Sequence, residues 1–351
     1  MKEVRIGDER SGWVRVGHGR PAAVMAEIGI NHDGRPERAV ELVDLAAGAG
    51  ADLVKFQYID PAAMVQRSAI PGLFDLYLKN ALPLAAYRTI AERCHTRKVP
   101  FVCTVFDLEG AARMVEAGVA AFKVASCDMT HLPLLRGLGQ YGLPVILSTG
   151  LADLAEVAVS VRELKRGGCR TPVLLHCVSA YPAPPDQVNL MAMHHLRSRF
   201  NLPVGYSDHT EGTLAPALAV ALGACAVEKH FTYDPAAPGP DHALSLGPSD
   251  FRRMVENIRL AQAMRGSGRK VPAEIEKKER QVGRRGFYLK RAVNKGEKVR
   301  LEDLAALKPW TEIGPFDVRR LRGAVYSRDL AEGSPLGRDD IVFRKPHEKN
   351  S

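Results

Sequence analysis

The chain has few cysteines, no long apolar stretch and no glycine-rich dinucleotide fingerprint, and each of these gaps closes off a class of protein. Its six cysteines, Cys94, Cys103, Cys127, Cys169, Cys177 and Cys225, lie scattered, mostly inside apolar runs, with no CxxC pair. That pattern favours reduced, buried thiols over a disulfide framework or a zinc site. No run approaches the roughly 18 apolar residues of a membrane span. The first residues, MKEVRIGDERSGW, hold no apolar core of the kind a secretory signal needs. A cytoplasmic protein with no membrane partner is expected. No GxGxxG follows the first apolar run, which argues against a dinucleotide-binding open sheet.

What the chain does have is an uneven charge. Its 351 residues carry a net +9. Residues 251–351 hold 25 Lys+Arg against 14 Asp+Glu, whereas the first 250 hold 24 against 26. The basic third contains no aromatic-interleaved or arginine-rich recognition motif, so nucleic acid is not an expected partner. A positive rim that guides a small anionic substrate suits the composition better.

Eight short apolar, mostly β-branched runs recur along the first 235 residues: 22–30, 51–57, 100–106, 121–126, 144–149, 172–178, 203–208 and 224–231. Between them lie stretches such as PERAVELVDLAAGAGA and LAEVAVSVRELKRGG, with apolar residues at helical spacing and a closing glycine. Near-continuous apolar strands suit a parallel sheet covered on both faces. Eight βα units in succession predict a (β/α)8 barrel, with a doubly wound open sheet as the alternative. Residues 58–82 are too long for a plain βα connection, and read either as a cover over the barrel mouth or as a helical ornament.

A barrel of this kind does its chemistry where strands end. Those ends offer Glu27, Lys55, Gln57, Thr104, Lys123, Ser126, Asp128, Ser148, Thr149, Ser179, Tyr181, Ser207, His209, Glu228 and His230. Lys55 and Lys123 sit inside apolar strands, LVKFQ and FKVAS, where an ammonium needs an anionic partner. With the neighbouring hydroxyls they would surround a phosphate, and a Schiff base is a rival use for either lysine. His209 and His230, on adjacent strands, are candidate ligands of a divalent ion, with Glu27 and Asp241 as acidic neighbours. So few nitrogens suit Mn2+ or Mg2+ better than a closed zinc site. Cys127 has no base beside it in sequence and reads as packing.

The motifs AEIGINHDG, GADLVKFQ, FKVASCDMTHLPLL, PVILSTGLA, LLHCVSAYPAPPDQVNL, VGYSDHTEGTLAPALAVALGA, VEKHFT and PGPDHALSL, in this order, resemble the sialic acid synthase family. The family includes synthases of N-acetylneuraminate, legionaminate and pseudaminate. The likeness continues through RRGFYLKRAVNKGEKVRLEDL, which resembles the family's C-terminal antifreeze-like (SAF) domain, a small β-clip. It implies a barrel domain over 1–268, a charged linker over 269–285 and the SAF domain over 286–346. It implies condensation of phosphoenolpyruvate with the open-chain aldehyde of an N-acylated hexosamine, with C–O cleavage and a divalent metal. A homodimer in which each C-terminal domain covers its partner's barrel is also implied. Position by position, Lys55, Thr104, Lys123, Ser126, Ser148, Ser179 and Ser207 match the phosphoenolpyruvate contacts, and His209 and His230 the metal ligands. Gln57, Asp128, Tyr181 and Asp241 match sugar contacts, and Glu27 lies near the metal and the reacting carbons. Three positions depart from the common pattern. Asp128 stands for a glutamate, Ser179 for an asparagine, and Lys308, in ALKPWTEIGP, for an arginine that meets the sugar's N-acetyl group from the partner chain. Lysine lacks the planar fork of arginine, so the acceptor sugar is where divergence is expected.

At the C-terminal end, LAEGSPLGRDDI repeats the turn grammar of VNKGEKVRLEDL, and the tail KPHEKNS is expected to be mobile.

Overall fold

The computed structural model describes residues 2–343, so the tail and the last residues of the expected second domain lie outside the described part. The chain divides into two compact units between Ser267 and Gly268. In the first, strands β3 (Ala23–Gly29), β4 (Leu53–Gln57), β5 (Phe101–Thr104), β6 (Ala121–Val124), β7 (Val145–Ser148), β8 (Val173–His176), β9 (Val204–Asp208) and β10 (Ala226–His230) form a closed barrel. Every neighbouring pair is parallel, and β10 closes onto β3. This is the (β/α)8 architecture that the repeated units predict.

The two-residue period of a strand explains how one sequence makes both the core and the site. Outward residues such as Val24, Ala26, Val54, Phe56 and Val227 are buried under the surrounding helices. Inward residues at the N-terminal ends, including Met25, Leu53, Val102, Ala121, Ile146 and Ala226, form a separate apolar layer inside the barrel. The same inward parity carried two or four residues further gives Glu27, Lys55, Thr104, Lys123, Ser148, Glu228 and His230. Most strands are thus apolar inside at the start and polar inside at the end, whereas β8, with Val173 and Leu175 inside, is apolar throughout.

Two features were not anticipated. An antiparallel hairpin, β1 (Glu3–Asp8) with β2 (Gly12–Gly17), precedes the barrel, and Val4, Ile6 and Val16 join the interior apolar layer. The hairpin therefore plugs the barrel's N-terminal end. The long connection after β4 folds into helices Pro61–Met64 and Pro71–Asn80. Among the described residues no helix is long and apolar enough to cross a membrane.

The second unit begins with helix Glu276–Gly283, none of whose residues is buried. Strands β11 (Gly286–Leu289) and β12 (Leu304–Leu307) pair antiparallel, as do β13 (Val325–Tyr326) and β14 (Ile341–Val342). The repeated turn grammar has a structural counterpart. Arg291 binds Asp303 through Nε at 2.9 Å, and Arg328, in the equivalent place of the second segment, binds Asp340 through Nε at 2.7 Å. Bridges Val293 to Leu330 and Lys298 to Val325 link the two segments, around a core of Phe287, Leu289, Leu304, Tyr326 and Leu336.

Candidate active site

The polar strand ends converge on a cavity of about 650 Å³ at the C-terminal mouth of the barrel. At its floor lie four buried charges. Lys55 Nζ, on β4, stands 2.8 Å from Glu27 Oε2 on β3 and 3.5 Å from Glu228 Oε1 on β10. Lys123 Nζ, on β6, stands 3.6 Å from Glu228 Oε2. Glu228 thus bridges two lysines across the barrel. Burial raises its pKa, but the Lys123 and Lys55 charges outweigh burial and hold it well below the usual carboxylate range. Lys55, facing two carboxylates, is held above its ordinary value against the effect of burial. Lys123 shares one carboxylate and also feels Lys55, so burial wins and its pKa falls. Glu27 is pushed up by burial and by Glu228, with Lys55 opposing.

The hydroxyls arrange themselves around these cations. Lys55 donates to Thr104 Oγ1 at 3.0 Å, Lys123 to Ser148 Oγ at 2.7 Å, and Ser207 Oγ donates to Glu228 Oε1 at 3.1 Å. Ser126 Oγ lies 3.1 Å from Cys177 Sγ and accepts from the Gly150 amide at 3.1 Å. A Cβ on Gly150 would sit 2.5 Å from Ser179 Oγ and 2.8 Å from Ser126 Oγ. The absence of a side chain at 150 keeps a hydroxyl-lined cradle open beside Lys123.

On the other side of the mouth, the His209 and His230 rings lie 5.8 Å apart, centroid to centroid. His209 Nδ1 donates to the Val178 carbonyl at 2.7 Å, which leaves Nε2 with its lone pair free to bind. His230 Nδ1 is buried without a hydrogen-bond partner among the described residues, 3.9 Å from Asp241 Oδ2. Burial lowers the pKa of both imidazoles, favouring their neutral forms, and the positive charges His209 and Lys55 can carry lower that of His230 further. The two imidazoles, one aligned by a carbonyl and one unsatisfied, offer a divalent cation two nitrogen ligands, one fewer than a three-ligand catalytic zinc centre provides. No third His, Cys, Asp or Glu joins them in a metal-holding group among the described residues. The Tyr181 ring lies 4.2 Å from His209, centroid to centroid, tilted 37° to it. Gln57 Nε2 donates to Glu27 Oε1 at 2.7 Å, and a Cβ on Gly29, at φ +56°, would sit 3.3 Å from each of these atoms and 3.5 Å from Asp241 Oδ2.

The structure therefore brings together Glu27, Lys55, Gln57, Thr104, Lys123, Ser126, Ser148, Ser179, Tyr181, Ser207, His209, His230 and Asp241 around one cavity. Asp128 does not line it. Its carboxylate, half-buried in the β6 loop, accepts from Cys127 Sγ at 3.1 Å. Lys308 is an exposed residue of the second unit. Cys127 corrects the packing expectation, because it is exposed and faces the cavity while the other five thiols are buried. Glu228 emerges as the residue that ties the site together. It was visible as a strand end, and its place two residues before His230 puts it on the same face. Leu73, Leu76 and Tyr77 of helix Pro71–Asn80 also line the cavity, so the long connection forms part of its wall.

Comparison with known proteins gives a consistent result. The family model described as the NeuB family matches residues 42–270. A protein of Methanocaldococcus jannaschii, MJ1065, is 41% identical over 342 residues, covering 97% of this chain and 99% of its own. The N,N'-diacetyllegionaminic acid synthase of Legionella pneumophila is 39% identical over 89% of this chain and 92% of its own. The crystal structure of an N-acetylneuraminic acid synthetase from Leptospira borgpetersenii superposes with a TM-score of 0.72 at 32% identity. It covers 79% of this chain and 95% of that one.

Proposed function

As a member of the NeuB family this chain is an enzyme, and we propose that it joins phosphoenolpyruvate to the aldehyde of an N-acylated hexosamine, giving a nonulosonic acid and phosphate. The observation that carries this reading is the buried Lys55–Glu228–Lys123 bridge set beside two neutral imidazoles. The bridge supplies two buried ammonium groups, with a ring of hydroxyls around them, at the floor of the cavity. Such a site suits a small, multiply charged anion whose carboxylate and phosphate each need a cation.

In the proposed reaction, C3 of phosphoenolpyruvate forms a bond to the sugar's C1. A water oxygen adds to C2, and the C2–O bond to phosphate breaks. Lys55 and Lys123 hold the two anionic ends and fix the enol carbon in place. The Ser126, Ser148 and Ser179 hydroxyls around Gly150 would receive the phosphate oxygens. Glu27, aligned by Gln57 and Lys55, sets negative charge where C2 becomes cationic. Gln57, Tyr181 and Asp241 would hold the sugar, with Asp128 and Lys308 as further sugar contacts implied by the family resemblance. A divalent ion, Mn2+ or Mg2+, held by His209 and His230, would polarise the aldehyde oxygen as a Lewis acid when bound. A homodimer in which a partner's C-terminal domain completes the site belongs to the same proposal.

Incubation of the enzyme with Mn2+, phosphoenolpyruvate and a panel of hexosamines tests the proposal. Phosphate release with one N-acylated sugar, and a product heavier than that sugar by the elements of pyruvic acid, is the expected outcome. Phosphate release with no panel member would contradict it. A second reading, a Schiff-base aldolase, is favoured by one fact only, the lowered pKa of Lys123. Borohydride in the presence of pyruvate would trap a covalent adduct on that mechanism and none on the first.

A further inference from the structure

Strands β9 and β10 lie side by side, and the residues that point into the barrel from them are Ser207, His209, Glu228 and His230. Between these lie Asp208 and Lys229, register partners on the outer face and both fully buried. Lys229 Nζ is 2.6 Å from Asp208 Oδ2 and also donates to the Thr210 carbonyl. Asp208 Oδ1 accepts from the Tyr206 hydroxyl and from the Thr210 amide, each at 3.0 Å. One ion precedes His209 and the other precedes His230. The pair also holds the backbone just beyond His209, Asp208 accepting from the Thr210 amide and Lys229 donating to the Thr210 carbonyl.

A buried ion pair is a poor way to stabilise a fold, because desolvation offsets most of the attraction and apolar residues of similar volume often serve better. What such a pair supplies is geometry. It has one length and one register, and here it spans the two strands at the level of the imidazoles. We propose that Asp208 and Lys229 are positioning residues. They form a clamp that sets the spacing of His209 and His230, and with it the affinity of the site for a divalent cation. The proposal rests on the reading of these two histidines as the cation's ligands.

The test is Mn2+ binding, followed by electron paramagnetic resonance of the free ion without substrates or turnover. The double variant Asp208→Leu/Lys229→Met removes both charges and fills the space. It is expected to melt within a few degrees of wild type yet bind Mn2+ about 10-fold more weakly, the lower end for residues that orient metal ligands. Lys229→Arg, which keeps the charge, should recover most of that loss. KM for phosphoenolpyruvate should move less than the Mn2+ affinity, because of the expected phosphoenolpyruvate contacts only Ser207 shares β9 or β10 with the pair. If the double variant does not fold, Asp208→Asn carries the test, with an expected loss of about threefold, smaller because its Oδ1 contacts survive. Mn2+ affinity within error of wild type in the folded variant overturns the clamp. Wild-type protein that binds no Mn2+, with His209→Ala indistinguishable from it, overturns instead the metal reading on which the clamp depends.

Discussion

The two units use the same ionic chemistry in opposite ways. In the second unit, Arg291 and Arg328 remain 43% and 68% exposed while they bind Asp303 and Asp340. In the barrel, Lys55, Lys123 and Lys229 are at most 4% exposed, and each is paired with a buried carboxylate. Asp303 and Asp340 are themselves buried, but the solvent-facing arginines let water screen the pairs, which here pin two similar turns of a small β unit. Buried pairs carry a desolvation cost that folding alone does not repay. The difference separates charge that shapes a surface from charge kept for binding.

The largest effect should come from breaking the buried bridge. Lys123→Met leaves Glu228 facing Lys55 alone, and kcat/KM is expected to fall about 100- to 1,000-fold, as when a charge-stabilising group is removed from a closed site. Activity within threefold of wild type would place the anion elsewhere. Glu27→Gln should lower kcat far more than it raises KM. Unchanged turnover would remove Glu27 from the chemistry. Gly150→Ala puts a methyl group into the hydroxyl cradle and should raise KM for phosphoenolpyruvate by about 10-fold, equivalent to roughly 1.4 kcal/mol. Its KM for the sugar should stay close to wild type.

The pH profile sharpens the comparison. Lys123 must be protonated to bind an anion, and burial lowers its pKa from the ordinary lysine value of 10.5. KM for phosphoenolpyruvate should therefore rise with pH before a surface lysine would lose its charge, and Lys123→Arg should push that rise upward. A KM that stays flat until a surface lysine would lose its charge would count against the role given to Lys123.

The smallest effects belong to surface pairs. Asp44, hydrogen-bonded by Arg93 and Arg97, has a pKa lowered to about 2, with burial opposing. A depressed carboxylate stabilises the fold above its unfolded pKa and loses that contribution as pH falls through the folded value. Asp44→Asn should cost about 1 kcal/mol at pH 7, discounted for solvent screening, and nearly nothing close to pH 2. Arg291→Ala should lower Tm by a few degrees at most and leave KM for phosphoenolpyruvate unchanged.

The barrel was legible because each strand is a short apolar run closed by a polar residue, and the period of two then assigns Glu27, Lys55, Lys123 and His230 to one rim. The role of Glu228 was not legible. Its partners lie on β4 and β6, and only closure of the barrel brings them to β10. Helix Pro71–Asn80 could be recognised as an excess of residues, but which of them reach the cavity depends on how it packs. The hairpin Glu3–Gly17 went unread because its apolar residues are few and broken by Gly, Asp and Arg. The paired turns of the second unit were legible as grammar, whereas the matched Arg–Asp pairs needed the structure.

One isotope measurement bears most directly on the central claim that the bridged lysines present phosphoenolpyruvate to a sugar aldehyde for attack through its enol carbon. Phosphoenolpyruvate carrying 18O in the oxygen between carbon and phosphorus is turned over with the accepted hexosamine and Mn2+. The account predicts that the label leaves in inorganic phosphate and that the new sugar acid carries none of it. Label retained in the sugar acid, or phosphate released at the same rate without any sugar, would contradict it.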